Sequence, residues 1–109
     1  MNDKTLQEVC LTTGVSRRAV QGYEKMKLVS ATGRNERGHL LYDENAQERI
    51  RQIKFYQQLG FTLKEIKEII DAPKEVLRVA LERKIEWMKR QSEHREVLIQ
   101  KALMLIKSM

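Results

Sequence analysis

The segment from Lys74 to Lys107 contains neither glycine nor proline, so it predicts one uninterrupted helix. At 1.5 Å per residue this helix is roughly 50 Å long, and it cannot fold back on itself. Alternating steps of four and three residues trace a seam that is apolar at both ends and polar at Lys84, Gln91 and Arg95, a pattern typical of coiled coils. The apolar residues on or beside this seam are Leu77, Leu81, Ile85, Met88, Leu98, Ile99, Ala102, Leu105 and Ile106.

An apolar seam of this kind requires a second helix to cover it. The sequence predicts no other helix of comparable length within its 109 residues. The simplest partner is therefore another copy of the chain, because most oligomers pair identical subunits. We predict a homodimer whose interface is formed by the nine apolar residues above.

The amino-terminal residues predict two short helices separated by a glycine. Thr5 and Glu8 have the spacing of a capping box, so the first helix should run from about Thr5 to Thr12 and stop at Gly14. Ser16 is then placed to cap a second helix. Two short helices joined by a glycine turn are typical of a helix-turn-helix.

The helical pattern is lost between Val29 and Tyr42. Residues 32–38 are polar and contain glycines, as a turn requires. Residues 39–42 have the composition of a short strand. Together they predict a hairpin wing after the helix-turn-helix.

Two further helices complete the predicted first domain. Asp43 is placed to cap one of them, and Thr62 begins the other, which must end before Pro73. The predicted fold is therefore mainly α. A winged helix-turn-helix DNA-binding domain spans residues 1–72, and a long coiled-coil dimerisation helix spans residues 73–109.

The charge distribution favours a polyanionic partner. The chain has a formal net charge of +6, and residues 1–42 and 73–109 are both basic, whereas residues 43–72 are slightly acidic. Basic charge at the two ends suits binding to double-stranded DNA.

Several classes of protein are excluded by what the sequence lacks. It has no signal-peptide pattern and no apolar run long enough to span a bilayer, so we expect a cytoplasmic protein with no membrane partner. Cys10 is the only cysteine, which excludes an internal disulfide and a cage of thiolates around a metal. His39 and His94 stand far apart, and no phosphate-binding glycine loop is present. We therefore predict no metal, no cofactor and no enzymatic activity. Cys10 should lie on the buried face of the first helix as an inert small hydrophobe, with a redox switch as the minor alternative.

Two groups of polar residues are candidates for DNA contacts. The exposed face of the second helix should carry Arg17, Arg18 and Gln21, whose side chains can form paired hydrogen bonds with guanine or adenine. The alternative is a solvated basic turn at a helix start, although cations there oppose the helix dipole. The residues predicted to contact the DNA backbone are Ser16, Tyr23, Arg34, Asn35, Arg37 and Tyr42. For the wing residues among them, an ordinary polar loop is an equally good interpretation. For Tyr23 and Tyr42, packing at the edge of the core is the more common alternative, although a phenol tip can still donate to a phosphate.

These segments resemble the MerR family of bacterial transcription regulators. The resemblance rests on Val9-Cys10-Leu11-Thr12-Thr13-Gly14-Val15-Ser16, Tyr23-Glu24, Leu28-Val29, Arg34, Gly38, Tyr42 and Leu59-Gly60-Phe61-Thr62-Leu63-Lys64-Glu65-Ile66. It implies a winged-helix dimer joined by an antiparallel coiled coil, which binds a pseudo-palindromic promoter site and bends or untwists it. It also implies that Arg17 and Arg18 face bases, that Tyr23 and Arg34 hold the backbone, and that RNA polymerase is a candidate partner through the promoter.

The sequence departs from the family pattern in three respects. The family's effector portion normally follows the dimerising helix, and this sequence shows no evident effector domain. Gln21-Gly22-Tyr23 stands where the recognition helix usually reads Arg-Tyr-Tyr, which removes one basic residue and predicts an early end of the helix. Gly38-His39-Leu40 stands where the wing usually reads Gly-Tyr-Arg. These departures leave open a protein-interaction module with weakened DNA reading. An effector cavity around Trp87 and Met88 is a third possibility, and the sequence identifies no effector.

Overall fold

The computed structural model describes residues 2–109. Within that range it contains five helices and three short strands. They are β1 (Lys4–Thr5), α1 (Leu6–Thr13), α2 (Arg17–Lys25), β2 (Gly33–Arg34), β3 (Leu40–Tyr42), α3 (Glu44–Gln58), α4 (Leu63–Ile69) and α5 (Lys74–Lys107). The chain divides into two compact units, with the boundary between Asp71 and Ala72. The mainly α fold that the sequence predicts is confirmed.

The first helices begin where the sequence places their caps. The Thr5 hydroxyl accepts a hydrogen bond from the Glu8 amide at 3.3 Å, and the Glu8 carboxylate accepts one from the Thr5 amide at 3.0 Å. The predicted capping box is therefore confirmed, and the bond from the Thr5 amide lowers the pKa of Glu8. Ser16 caps α2 by accepting from the Ala19 amide at 3.0 Å.

A small antiparallel sheet of order β1-β3-β2 links the wing to the amino terminus. Strands β2 and β3 form the predicted hairpin, with Arg34 opposite Leu40. Strand β1 was not predicted, and it pairs Lys4 with Tyr42. A strand of two residues is too short to show an alternating pattern, so only its tertiary partner reveals it.

The core of the first unit lies among α1 to α4. Val9, Val20, Ile50, Ile53 and Ile66 are all completely buried, one or two from each helix. Each of these residues lies on the apolar face of its helix. The four helices pack with these faces toward one another, because that removes the apolar side chains from water.

One polar side chain is accommodated inside this core. Gln47 donates hydrogen bonds to the carbonyl oxygens of Asn2 at 2.6 Å and Tyr42 at 2.8 Å, so its burial leaves its amide group satisfied. Cys10 is half-buried rather than buried, because its position on α1 lies at the edge of the core stripe. The prediction that Cys10 lies on the buried face of the first helix is therefore corrected to a half-buried position.

The second unit is the helix α5, which begins at Lys74 and ends at Lys107 as the sequence predicts. The Pro73 carbonyl accepts from the amides of Val76 at 3.0 Å and Leu77 at 3.2 Å, which starts the helix. None of the described residues of α5 is buried within the chain. Within residues 2–109, no helix is both long enough and apolar enough to cross a membrane.

Candidate nucleic-acid interface

The amino-terminal half of α2 presents a polar face to solvent. Arg17, Arg18 and Gln21 are exposed, whereas Val20 and Tyr23 on the opposite face are buried in the core. The two arginines occupy the first turn, where the helix dipole disfavours positive charge. A bound anion would relieve that repulsion and use the free amides of the same turn.

The wing has an ordered tip that is held by two of the predicted contact residues. The Asn35 side-chain oxygen accepts from the amides of Arg37 and His39, both at 3.0 Å. The Arg34 guanidinium donates to the Gly38 carbonyl at 2.8 Å, and Gly38 has a positive φ of 82° that suits glycine. Asn35 and Arg34 therefore shape the wing, while the Arg37 side chain is exposed beside them.

The structure brings Arg17 into the neighbourhood of the wing. A groove open to solvent is bordered by Arg17, by the start of α1 and by the end of the hairpin. Its lining residues are Thr5, Leu6, Gln7, Arg17, Gly38, His39 and Leu40. Arg18 and Gln21 do not line this groove, although both are exposed on the same helix as Arg17.

The two tyrosines that the sequence predicts as DNA backbone contacts are core residues. Tyr23 is 2% exposed and its hydroxyl donates to the Gln57 side chain at 2.6 Å. Tyr42 is completely buried and its hydroxyl donates to the Glu24 carboxylate. Burial raises the pKa of both phenols, and the bond to Glu24 adds to the effect at Tyr42. Each hydroxyl already donates its proton within the chain, and a contact of either with the DNA backbone stays a prediction.

The glycine in α2 does not end the helix. The prediction of an early end at Gly22 is wrong, since α2 continues to Lys25. Burial of Val20 and Tyr23 on either side holds the helix and outweighs the low helix propensity of glycine. A Cβ atom built at Gly22 would meet no atom within 4 Å, so packing does not require a glycine there.

Several basic side chains that contribute to the net charge are used as internal ties. Lys67 donates to the Met26 carbonyl at 2.9 Å, and Lys54 donates to the Thr13 carbonyl at 3.1 Å. The sequence interpretation missed both residues, because they read as ordinary surface lysines on α4 and α3. Their ammonium groups stabilise the turns at the ends of α1 and α2 by donating hydrogen bonds to carbonyl groups there.

Arg49 on α3 is a third tie of this kind. Its Nε donates to the Leu28 carbonyl at 2.8 Å, and its two terminal nitrogens each donate to an Asp71 carboxylate oxygen at 2.6 Å. These hydrogen bonds lower the pKa of Asp71 and raise that of Arg49. Arg49 also had no signal in the sequence.

The surface made by α2 and the wing is nevertheless strongly basic. Between residues 16 and 39 the acidic side chains are Glu24, which is bound to Tyr42, and Glu36. The basic residues in the same range are Arg17, Arg18, Lys25, Lys27, Arg34 and Arg37. This excess of positive charge on an exposed helix and hairpin is suited to a nucleic-acid backbone.

The described part of the chain holds no cluster of potential metal ligands, and the surface around Trp87 shows no enclosed cavity. Residues 2–109 contain no group of three or more side chains placed to hold a metal ion. Trp87 is 49% exposed, and its ring lies 5.0 Å from the Lys84 ammonium. The groove beside Trp87 is lined by Glu82, Arg83, Glu86 and Arg90, and Met88 does not take part in it. The predicted cavity is therefore an open, charged groove within one chain.

Two family models match the chain. The model of the MerR HTH family regulatory protein matches residues 4–73, and the model of MerR, DNA binding, matches residues 47–105. The HTH-type transcriptional activator mta of Bacillus subtilis (strain 168) is 30% identical over 95 residues, which cover 87% of this chain and 37% of the activator. The chain spans about a third of the length of the curated relatives that it matches.

Solved structures share the fold. The crystal structure of MtaN, the amino-terminal part of the Bacillus subtilis multidrug transporter activator, superposes with a TM-score of 0.74 and 30% identity. The match covers 90% of this chain and 92% of MtaN. HiNmlR, a MerR family regulator lacking the sensor domain and bound to promoter DNA, has a TM-score of 0.70 at 21% identity, over 90% of this chain and 79% of that one. The second likeness concerns the fold alone.

Proposed function

Because this chain belongs to the MerR family of helix-turn-helix transcription regulators, which are not enzymes, we propose that it binds a pseudo-palindromic promoter site as a homodimer. In this proposal residues 1–72 read the DNA and residues 73–109 join the two copies. The protein acts in the cytoplasm, distorts the site on binding and influences RNA polymerase at the promoter. The match of residues 47–105 to the family model of MerR, DNA binding, supports the DNA partner.

One observation carries the DNA-binding part of the proposal. Arg17, Arg18 and Gln21 are exposed on the first turns of a helix whose other face is anchored in the core. The amino end of a recognition helix is the part that enters the major groove, where arginine and glutamine can pair with base edges. The wing offers Arg34 and Arg37 to the phosphates beside it. The Ser16 hydroxyl, which accepts from the Ala19 amide, can still donate its own proton to a phosphate.

The dimer part rests on the unburied apolar face of α5. Leu98 is 50% exposed and Ile106 is 65% exposed, and further apolar side chains follow the same seam. Such a face on a helix of 34 residues is stable in water only when another helix covers it. A second copy offers an equal and complementary seam.

The charges on the seam favour an antiparallel pair. In a parallel pair each polar seam position faces itself, which would bring two Lys84 ammonium groups together and two Arg95 guanidinium groups together. In an antiparallel pair centred near Glu93, the 4-3 spacing places Lys84 opposite Ala102 and Arg95 opposite Gln91. The same register places Met88 opposite Leu98. Like charges are therefore separated, which lowers the free energy of the antiparallel arrangement.

We expect a cysteine pair to report this orientation. In a Cys10→Ala background, the double variant Met88→Cys with Leu98→Cys should form an interchain disulfide under mild oxidation, seen as a dimer on a non-reducing gel. Each single cysteine should stay uncrosslinked, because its own copy lies about 15 Å away along the helix, beyond disulfide reach. Efficient crosslinking by Leu98→Cys alone would contradict the antiparallel arrangement.

The direct test of DNA binding is selection from a random duplex pool, followed by a salt titration on the enriched sequence. We expect a two-fold-related motif, because a symmetric dimer presents two identical reading heads. We also expect affinity to fall steeply with salt, since each neutralised phosphate releases counterions. Failure to enrich any sequence would contradict the proposal and favour the protein-interaction module.

A further inference from the structure

The guanidinium of Arg49 joins two parts of the first unit that are distant in sequence. It contacts the Leu28 carbonyl through Nε at 2.8 Å and both carboxylate oxygens of Asp71 through its terminal nitrogens at 2.6 Å. A planar, five-donor group can make these bonds together, whereas an ammonium group cannot reproduce this geometry. The Arg49 side chain is 24% exposed, so most of it is covered by other groups, which limits its movement.

The first of these parts is the turn that ends the recognition helix. The Leu28 amide donates to the Tyr23 carbonyl at 2.9 Å, and Lys27 in the same turn has a positive φ of 60°. Lys67 holds the neighbouring Met26 carbonyl at 2.9 Å. The turn is thus held by side chains from α3 and α4, and Arg49 supplies the tie at Leu28.

The second part is the connection to the long helix. Asp71 is the last residue of the first unit, and Pro73, two positions later, supplies the carbonyl that starts α5. Only Ala72 lies between them, and a residue before proline is restricted to extended conformations. A side chain that restrains Asp71 therefore restrains the point at which the chain passes into α5.

We propose that Arg49 is a positioning residue that sets the distance between the two DNA half-sites recognised by the dimer. The inference rests on the proposed function. In the dimer, the long helices join the two copies, so the separation of the two recognition helices depends on the connection from α2 to α5 within each copy. Arg49 bonds Leu28, just after the end of α2, and Asp71, just before the start of α5, at the same time. Loosening it widens the range of spacings that the dimer tolerates.

Asp71→Asn is the variant best suited to test this proposal. The Asp71 side chain is 73% exposed, so loss of its ion pair has little effect on folding. Asparagine keeps one acceptor oxygen but loses the charge and the second acceptor. Glu48→Gln is the matched control, because it removes the exposed pair of Glu48 with Arg51, 3.4 Å apart on the same helix. Arg49→Lys is a second test variant, in which both contacts of the guanidinium are weakened.

The experiment measures binding of the full chain to duplexes that carry two copies of the selected half-site, with the spacer shortened or lengthened one base pair at a time. The ratio of affinities for the best spacer and its neighbours is the readout. We expect Asp71→Asn to lower this ratio by about threefold to tenfold. Affinity for a duplex with a single half-site should stay at the wild-type value, and Glu48→Gln should match the wild type in both assays.

The outcomes separate the two proposals. If the wild type prefers one spacer and both Asp71→Asn and Arg49→Lys keep that preference, Arg49 does not set the spacing and this inference is overturned alone. A uniform loss of affinity on single and double half-sites also overturns it, because a damaged reading head would do the same. A wild-type chain that binds no DNA overturns the proposed function and this inference with it. Thermal melting of each variant establishes that the fold is intact.

Discussion

Leu98→Glu should convert the dimer to a monomer at micromolar concentration and abolish tight binding to a two-fold-related DNA site. In the proposed register each Leu98 faces Met88 of the other copy, so one substitution places two carboxylates in the dimer interface. Leaving a charge buried and unpaired costs about 3–5 kcal/mol, so the dimer dissociation constant should rise at least about 100-fold. DNA affinity falls with it, because the second half-site no longer adds to the binding energy.

Size-exclusion chromatography with light scattering measures the first effect, and titration of labelled duplex measures the second. Gln100→Glu is the matched control, since it adds the same charge two residues away on the outer face of α5. That variant should remain dimeric and bind DNA like the wild type. A dimer of unchanged stability in Leu98→Glu would remove the α5 seam from the interface and contradict the proposed assembly.

Arg18→Ala should reduce affinity for the selected sequence roughly 30-fold or more and leave binding to unrelated duplex almost unchanged. A good bidentate contact between arginine and a base discriminates by about 1–3 kcal/mol, and the dimer makes the contact twice. Selectivity is therefore the quantity lost. Competition between the selected duplex and a scrambled one measures it, with melting curves to confirm folding.

The wing arginines supply the comparison for this prediction. Arg34→Ala and Arg37→Ala should weaken binding to every sequence by a similar factor and reduce the slope of affinity against salt, because phosphate contacts carry no sequence information. Arg37→Ala is the cleaner variant, since Arg34 also holds the Gly38 carbonyl at 2.8 Å. Equal losses of selectivity from Arg18 and from the wing would contradict the separate roles given to them.

The helices and their caps could be predicted because their signals are local. Thr5 with Glu8, Ser16, and Asp43 each cap a helix within three residues of themselves. The bounds of α5 were equally accessible, since the absence of glycine and proline and the position of Pro73 are read directly from the sequence. The family resemblance is confirmed by the family model that matches residues 4–73. Its motifs could be recognised in the sequence because several of them contain these capped turns.

Whether an individual polar side chain faces solvent or the core could not be predicted from such local signals. Tyr42 could have faced DNA or the core, and its hydroxyl bonds to Glu24, which lies 18 positions away in the sequence. Gln57 at the Tyr23 hydroxyl is 34 positions away. No short pattern encodes such distances, so the sequence alone could not distinguish a phosphate ligand from a core phenol.

The sequence by itself determined the five helices, the caps that begin the first four, the wing and the apolar seam of α5, because each depends on residues within a few positions of one another. Only the tertiary structure decided which basic side chains remain available to DNA. It leaves Arg18 and Arg37 exposed, and it commits Lys67 and Arg49 to carbonyls that lie 41 and 21 positions away. The physical reason is that a hydrogen bond depends on proximity in space, and only the packed core creates that proximity.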